Sequence, residues 1–242
     1  MELIVVDDYE ALSRAGADVI ADVVTRKPDA AIVVATGDTP MGIYEELARR
    51  QARGELDASG IRVFQLDEYL GVSPDDRRSL YGWMERAFLR PLGIPDSSVV
   101  RFAWEEGEAE EGCAAYERAV KAAGGFDLAV LGLGPNGHLG FNEPPSGPGS
   151  PTRVVDLTDE SIESNADYWG DPDVVPRRAV TAGLDLILAA RRILLVVSGE
   201  HKQDILRRTF EGLVTPDVPS SYLQQANSVI VLADRAAWPS AE

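Results

Sequence analysis

Cysteine and histidine are nearly missing from this chain of 242 residues, which holds one cysteine, Cys113, and two histidines, His138 and His201. A lone cysteine excludes an internal disulfide and suits a reducing compartment. Cys113 lies in a polar, helix-like stretch and reads as a small, partly buried residue. So few nitrogen and sulfur ligands make no zinc constellation, and no metal is expected. Basic charge is scarce too, with 23 Lys and Arg against 40 Asp and Glu, a net of −17. That balance disfavours nucleic acid and anionic membranes as partners. It also opposes an anionic ligand at long range, so a phosphate site needs local positive potential. No apolar run is long enough to span a bilayer, and the opening MELIVV, followed at once by acidic residues, does not read as a signal peptide. A soluble, acidic, cytoplasmic globular protein is expected.

What the chain does have is alternation. Strand-like runs occur at Leu3–Val6, Ala30–Ala35, Ile61–Leu66, Leu128–Leu133, Val154–Leu157, Ile193–Val197 and Ser228–Leu232. Between the first two, Leu12, Ala15, Val19 and Val23 recur at helical spacing. Thr39 and Pro40 predict a capped helix start, with Ile43, Tyr44 and Leu47 on one face. Further helices are predicted at Leu80–Leu89, Cys113–Ala122 and Lys202–Phe210. The pattern predicts an α/β fold with a doubly wound, mostly parallel sheet and helices on both faces. No internal repeat or low-complexity linker divides the chain, so residues 1–242 are expected to form one domain. Two stretches depart from the alternation. Trp104–Glu111 holds five glutamates and reads as a solvated loop or helix start, and Phe141–Thr152 holds four prolines and two glycines and must be a loop.

The segment Leu131–Pro144, LGLGPNGHLGFNEP, places His138 among glycines just past a buried strand, with the carboxylate of Glu143 five residues on. Ligands of open α/β sheets bind beyond the carboxyl ends of strands, so a titratable ring there suggests proton transfer. Gly132, Gly134 and Gly137 also spell GxGxxG, with Asp156 downstream. A dinucleotide site needs a helix to start in that loop. Pro144, Pro145, Pro148 and Pro151 forbid one.

Three more clusters sit at strand ends. Thr36-Gly37-Asp38-Thr39-Pro40 feeds a helix N-terminus, where amides and hydroxyls suit an anion, although an ordinary turn capped by Thr39 is the plainer reading. Asp67-Glu68-Tyr69 follows a strand, where adjacent acids are often only a turn or cap. Lys202 opens a helix after Ser198-Gly199 and opposes its macrodipole unless an anion binds there.

Taken together, ATGDTPMGIYEEL, FQLDEYLG, GLGPNGHLGFNEP, SPTRVV, VPRRAVTAGLDLIL, SGEHKQ and PSSYLQ, in this order, resemble the glucosamine-6-phosphate deaminase (isomerase) family. That family includes galactosamine-6-phosphate deaminases and is distantly related to 6-phosphogluconolactonases; FNEP at 141–144 favours the deaminase side. The resemblance implies an enzyme of amino-sugar metabolism, classed as hydrolase, deaminase and isomerase. It would convert an amino-sugar 6-phosphate to a ketose phosphate and ammonia without cofactor or metal. It implies Asp67 as the base between C2 and C1, and His138 as acid/base for ring opening, supported by Glu143 and Asn136. Thr36, Gly37, Asp38, Thr39 and Lys202 would hold the phosphate, residues 159–178 would form a lid, and a homo-oligomer is allowed.

The chain departs from the family pattern at Asn136, where an aspartate is usual, at Asp38, where a glycine is usual, and at Asp167, where a phosphate-binding arginine often stands. Arg177 or Arg178 would then compensate from the lid. Arg153 is present but Val155 stands where allosteric members carry lysine, which argues against activation by an N-acetylated sugar phosphate. Glucosamine and galactosamine substrates both stay open, with the GEHKQD turn and Asp167 leaning to the second. The alternatives are a sugar-phosphate lactone hydrolase and a non-catalytic sugar-phosphate sensor.

Overall fold

The computed structural model describes residues 1–239. The single-domain expectation extends to residues 240–242, which lie outside the described residues. Ten strands are formed: β1 Glu2–Val6, β2 Ala31–Val34, β3 Arg62–Gln65, β4 Asp67–Tyr69, β5 Val99–Val100, β6 Leu128–Leu131, β7 Arg153–Asp156, β8 Arg178–Thr181, β9 Ile193–Val197 and β10 Val229–Asp234. The helices are α1 Tyr9–Arg26, α2 Met41–Ala52, α3 Leu80–Met84, α4 Arg90–Leu92, α5 Ala109–Ala123, α6 Asp159–Trp169, α7 Leu184–Leu188 and α8 Gln203–Glu211.

Seven strands make one sheet in the order β1-β10-β9-β6-β2-β3-β5, and every pairing in it is parallel. Strands of such a sheet are buried on both faces, as β2, β6 and β9 are throughout. Their side chains alternate between two cores. Ile32, Val34, Leu128, Val130, Leu194 and Val196 face α1, α2 and α4, whereas Ala31, Val33, Ala129, Leu131, Ile193 and Leu195 face α5, α7 and α8. The doubly wound architecture is therefore present. Its turning point lies between β2 and β6, because the chain runs outward through β3 and β5 on one side and through β9 and β10 on the other.

A second sheet, β4-β8-β7, is antiparallel and stands beside the first. The strand expected at Val154–Leu157 belongs here, one residue earlier as β7, and not in the parallel sheet. Strands β4, β5 and β8 have two to four residues, too short for a periodic signal. The predicted helix Leu80–Leu89 is broken into α3, a π turn at Glu85–Leu89 and α4. Pro91 has no amide to continue the ladder, and the Arg90 amide reaches back five residues to the Glu85 carbonyl. Thr39 does not cap α2: Pro40 takes the cap position and no side chain bonds there. The glutamate-rich stretch is a loop and short 3-10 turn leading into α5, and residues 141–152 form a loop, as expected.

Candidate active site

The carboxyl ends of β3, β2, β6 and β9, four neighbours in the parallel sheet, open onto one cavity of about 950 Å³. Its wall includes Thr36–Thr39 after β2, Asp67 after β3, His138 after β6 and Lys202 after β9. A ligand crevice at the turning point of a doubly wound sheet is the general rule. Asn136 and Glu143 are not on the wall but stand behind it.

Asp67 and Glu68 are adjacent in β4 and so point to opposite faces. Glu68 is buried and fully engaged: it accepts hydrogen bonds from the amides of Tyr69, Leu80 and Tyr81 and from Gln65 Nε2, at 2.8–3.0 Å. It thereby caps the start of α3. Asp67 is 8 % exposed, and its carboxylate accepts no hydrogen bond among the described residues. Burial without a partner, reinforced by the charge of Glu68, pushes its carboxyl up to about 8. Gly140, at φ +61°, gives it room: a Cβ there would lie 3.3 Å from Asp67 Oδ2 and 2.9 Å from Thr181 Oγ1.

His138 is held by Asn136. The Asn136 Oδ1 atom accepts from the His138 amide at 3.2 Å and lies 2.9 Å from Nδ1. An amide oxygen only accepts, so Nδ1 carries the proton and Nε2 is left with its lone pair. Desolvation lowers the imidazole to about 4; the negative charge of Glu143 opposes that shift and Lys202 adds to it. The ring lies against Gly134, where a Cβ would come within 2.2 Å of Nε2. Glu143 departs from expectation. Its carboxylate accepts from the Thr158 amide at 2.9 Å, from Thr158 Oγ1 at 2.6 Å and from Ser161 Oγ. It braces Thr158, whose hydroxyl caps α6, at a helix N-terminus that favours negative charge, and acts on His138 only through space.

Across the cavity, the amides of Gly37, Asp38 and Thr39 donate to no group among the described residues, and Gly37 takes φ +108°. Tyr9 fixes this turn, donating to the carbonyls of Asp38 and Thr39 at 3.0 and 3.1 Å and accepting from the Gly42 amide at 2.9 Å. Lys202 ends a 3-10 turn immediately before α8. Its Nζ donates to the Leu133 carbonyl at 2.7 Å, and desolvation lowers its pKa.

Arg177 and Arg178 do not reach the cavity. Arg177 lies 4.0 Å from Asp173, and Arg178 is drawn to Glu106 and Asp156. Arg77, Arg78 and Arg86 line it instead, together with Trp83 and Tyr168. These residues carry no distinguishing sequence signal, since DDRR reads as an ordinary charged turn. Among the described residues no group of three or more His, Cys, Asp or Glu is placed to hold a metal, and no helix is long and apolar enough to cross a membrane.

The family model described as glucosamine-6-phosphate isomerases/6-phosphogluconolactonase matches residues 7–232. The chain belongs to this family. Among its relatives, the glucosamine-6-phosphate deaminase of Halothermothrix orenii is 38 % identical over 237 residues, 98 % of each chain. A solved structure of a monomeric glucosamine-6-phosphate deaminase superposes with a TM-score of 0.95 at 38 % identity, covering 98 % of each chain. The 6-phosphogluconolactonase of Leishmania guyanensis gives a TM-score of 0.76 at 20 % identity, covering 100 % of this chain and 98 % of that one, and shows the shared fold alone. These matches correct one expectation. The hydrolase class attaches to the distant lactonase branch, whereas the full-length relatives at 36–42 % identity are deaminases.

Proposed function

We propose that this family member is an aldose–ketose isomerising deaminase that converts glucosamine-6-phosphate to a ketose 6-phosphate and ammonia. Asp67 carries the reading: an unpaired carboxylate, raised to about 8, on the same cavity as a neutral imidazole and an anion-ready turn. The Thr36–Thr39 amides and Lys202 hold the phosphate. His138 Nε2 takes the proton of the anomeric hydroxyl and returns it to the ring oxygen, which opens the sugar. Asp67 then removes the proton from C2 and delivers one to C1. The carbon–nitrogen bond at C2 becomes an imine, to which water adds as ammonia leaves. A carboxylate held in a desolvated wall is more basic than one in water, which suits abstraction from carbon.

The chain acts as one domain in which residues 159–178 form the lid. α6 fully buries only Ser161 and Ile162 among its eleven residues, and it rests, with Ala166 and Trp169, on a cluster smaller than the two cores of the parallel sheet. Its Tyr168 hydroxyl donates to Asp38 Oδ2 at 3.1 Å, and its ring packs edge-on against Trp83 with centroids 5.1 Å apart. Closure of such a segment excludes water from the imine and enolamine stages. The active unit is read as a monomer, by analogy with the monomeric deaminase that superposes on it; sedimentation distinguishes it from the homo-oligomer that the family resemblance allows. A phosphorylated sugar substrate and a single buried thiol, Cys113, both fit the cytoplasm.

The test is ammonia release by the purified protein from glucosamine-6-phosphate, with galactosamine-6-phosphate alongside. Release from the first, faster than from the second, is expected. Silence with both sugars overturns the reading.

A further inference from the structure

The cavity wall is charged against the trend of the protein around it. A chain of net charge −17 places three carboxylates there, Asp38, Asp67 and Asp167, and four cations, Lys202, Arg77, Arg78 and Arg86. Two of the cations are already engaged. Lys202 is bonded to the Leu133 carbonyl. Arg78 is paired with Asp76 at 2.7 Å, and its guanidinium lies 4.4 Å from the centre of the Trp169 ring.

Arg77 and Arg86 are different. Both are exposed at the rim, and among the described residues neither forms an ion pair. They are tied to each other through the backbone, since Arg86 Nη2 donates to the Arg77 carbonyl at 2.7 Å. Two exposed guanidinium groups on the wall of one cavity are thus left without a counter-charge among the described residues. Guanidinium groups match the geometry of phosphate oxygens and are weakly hydrated, so they suit an anion more than solvent.

We propose that Arg77 and Arg86 form a second anion-holding point at the cavity mouth, separate from the Thr36–Thr39 turn and Lys202. It captures the phosphate of the incoming sugar and passes it inward. The inference rests on the deaminase reading for its substrate, a phosphate monoester of an amino sugar. Its physical content is local. The field of the whole protein repels a dianion, and a pair of cations at the entrance reverses that field within about one Debye length, ~10 Å at 0.1 M salt.

The experiment measures kcat/KM for ammonia release from glucosamine-6-phosphate at about 0.02 M and 0.5 M ionic strength, in wild type, Arg77→Ala, Arg77→Glu and Arg77→Lys. Arg77 is exposed, so none of these changes disturbs the core. Arg77→Ala lowers kcat/KM about 3- to 10-fold at low salt, Arg77→Glu lowers it further, and the loss lies in KM. Arg77→Lys stays within about twofold of wild type, and the deficits shrink at high salt. Wild-type behaviour of Arg77→Glu at low salt, or a deficit indifferent to salt, overturns the proposal. If wild type releases no ammonia, the deaminase reading falls by itself. Calorimetric titration of inorganic phosphate and glucosamine-6-phosphate into wild type and Arg77→Glu then decides the subsite. Weaker binding by the variant at low salt supports it, and equal binding overturns it.

Discussion

The inner end of the cavity stands on β2, β3, β6 and β9, whose side chains are buried almost without exception. Its outer end is closed by α6, where nine of eleven residues retain exposure, and by the charged turn before α3. The two ends meet through the Tyr168–Asp38 hydrogen bond, the hydrogen bonds of Glu143 to Thr158 and Ser161, and a small apolar cluster in which Ile162 and Trp169 pack near Tyr69 and Phe141. The difference separates two jobs. The groups proposed to move protons are fixed by a close-packed sheet, because a misplacement of about 1 Å is costly to chemistry. The groups proposed to admit and enclose the substrate sit on an exposed helix with a smaller apolar footing, which opens at lower cost than the sheet.

Asp67→Asn breaks the inner end most completely. It lowers kcat/KM by about 10³-fold or more, as expected for loss of a general base, and abolishes exchange of the C2 proton with solvent. The same change stabilises the fold in alkali. The native carboxyl, raised from 3.8 to about 8, contributes stability that is intact below pH 4 and lost as pH rises through 8. At pH 9 the variant is therefore more stable by about 2–4 kcal/mol, at ~1.4 kcal/mol per pKa unit after allowance for relaxation, and thermal melts of the two proteins converge towards pH 4. In wild type, kcat/KM rises with pH on a limb near 8 that is missing from Asp67→Asn.

Gly134→Ala strikes the same end more gently. A Cβ 2.2 Å from the imidazole Nε2 must turn the ring away from its Asn136 partner. The expected result is a fall of about 10- to 100-fold in kcat, by the cost of misorientation, with secondary structure by circular dichroism unchanged. Tyr168→Phe is the smallest change and concerns the outer end alone. Removing one partly exposed hydrogen bond, worth ~1 kcal/mol, shifts kcat/KM by about 2- to 5-fold and leaves the melting temperature in place. A large loss of stability in Tyr168→Phe shows instead that α6 belongs to the rigid part.

The parallel sheet and its helices were legible because long runs such as ILLVV and AIVV carry a strong apolar signal. The wall residues after those strands were legible for the same reason, since strand ends locate the crevice. What escaped lies off that sheet. β8 is four residues long and pairs antiparallel with β4, a contact far apart in sequence. A spacing of five residues points Glu143 to the imidazole, yet Thr158 and Ser161 at the start of α6 bring three donors to its carboxylate. Arg77 and Arg86 gained meaning only when the π turn and α3 set them on the rim.

The placement of Glu143 has a mechanical corollary. The Glu143 carboxylate ends the histidine loop and holds Thr158 and Ser161 at the start of α6, the proposed lid, so the two segments share a pivot. Any shift in the first turn of α6 also moves the anion that most favours protonation of the imidazole. On the proposed lid reading, opening the entrance and retuning the ring are a single displacement.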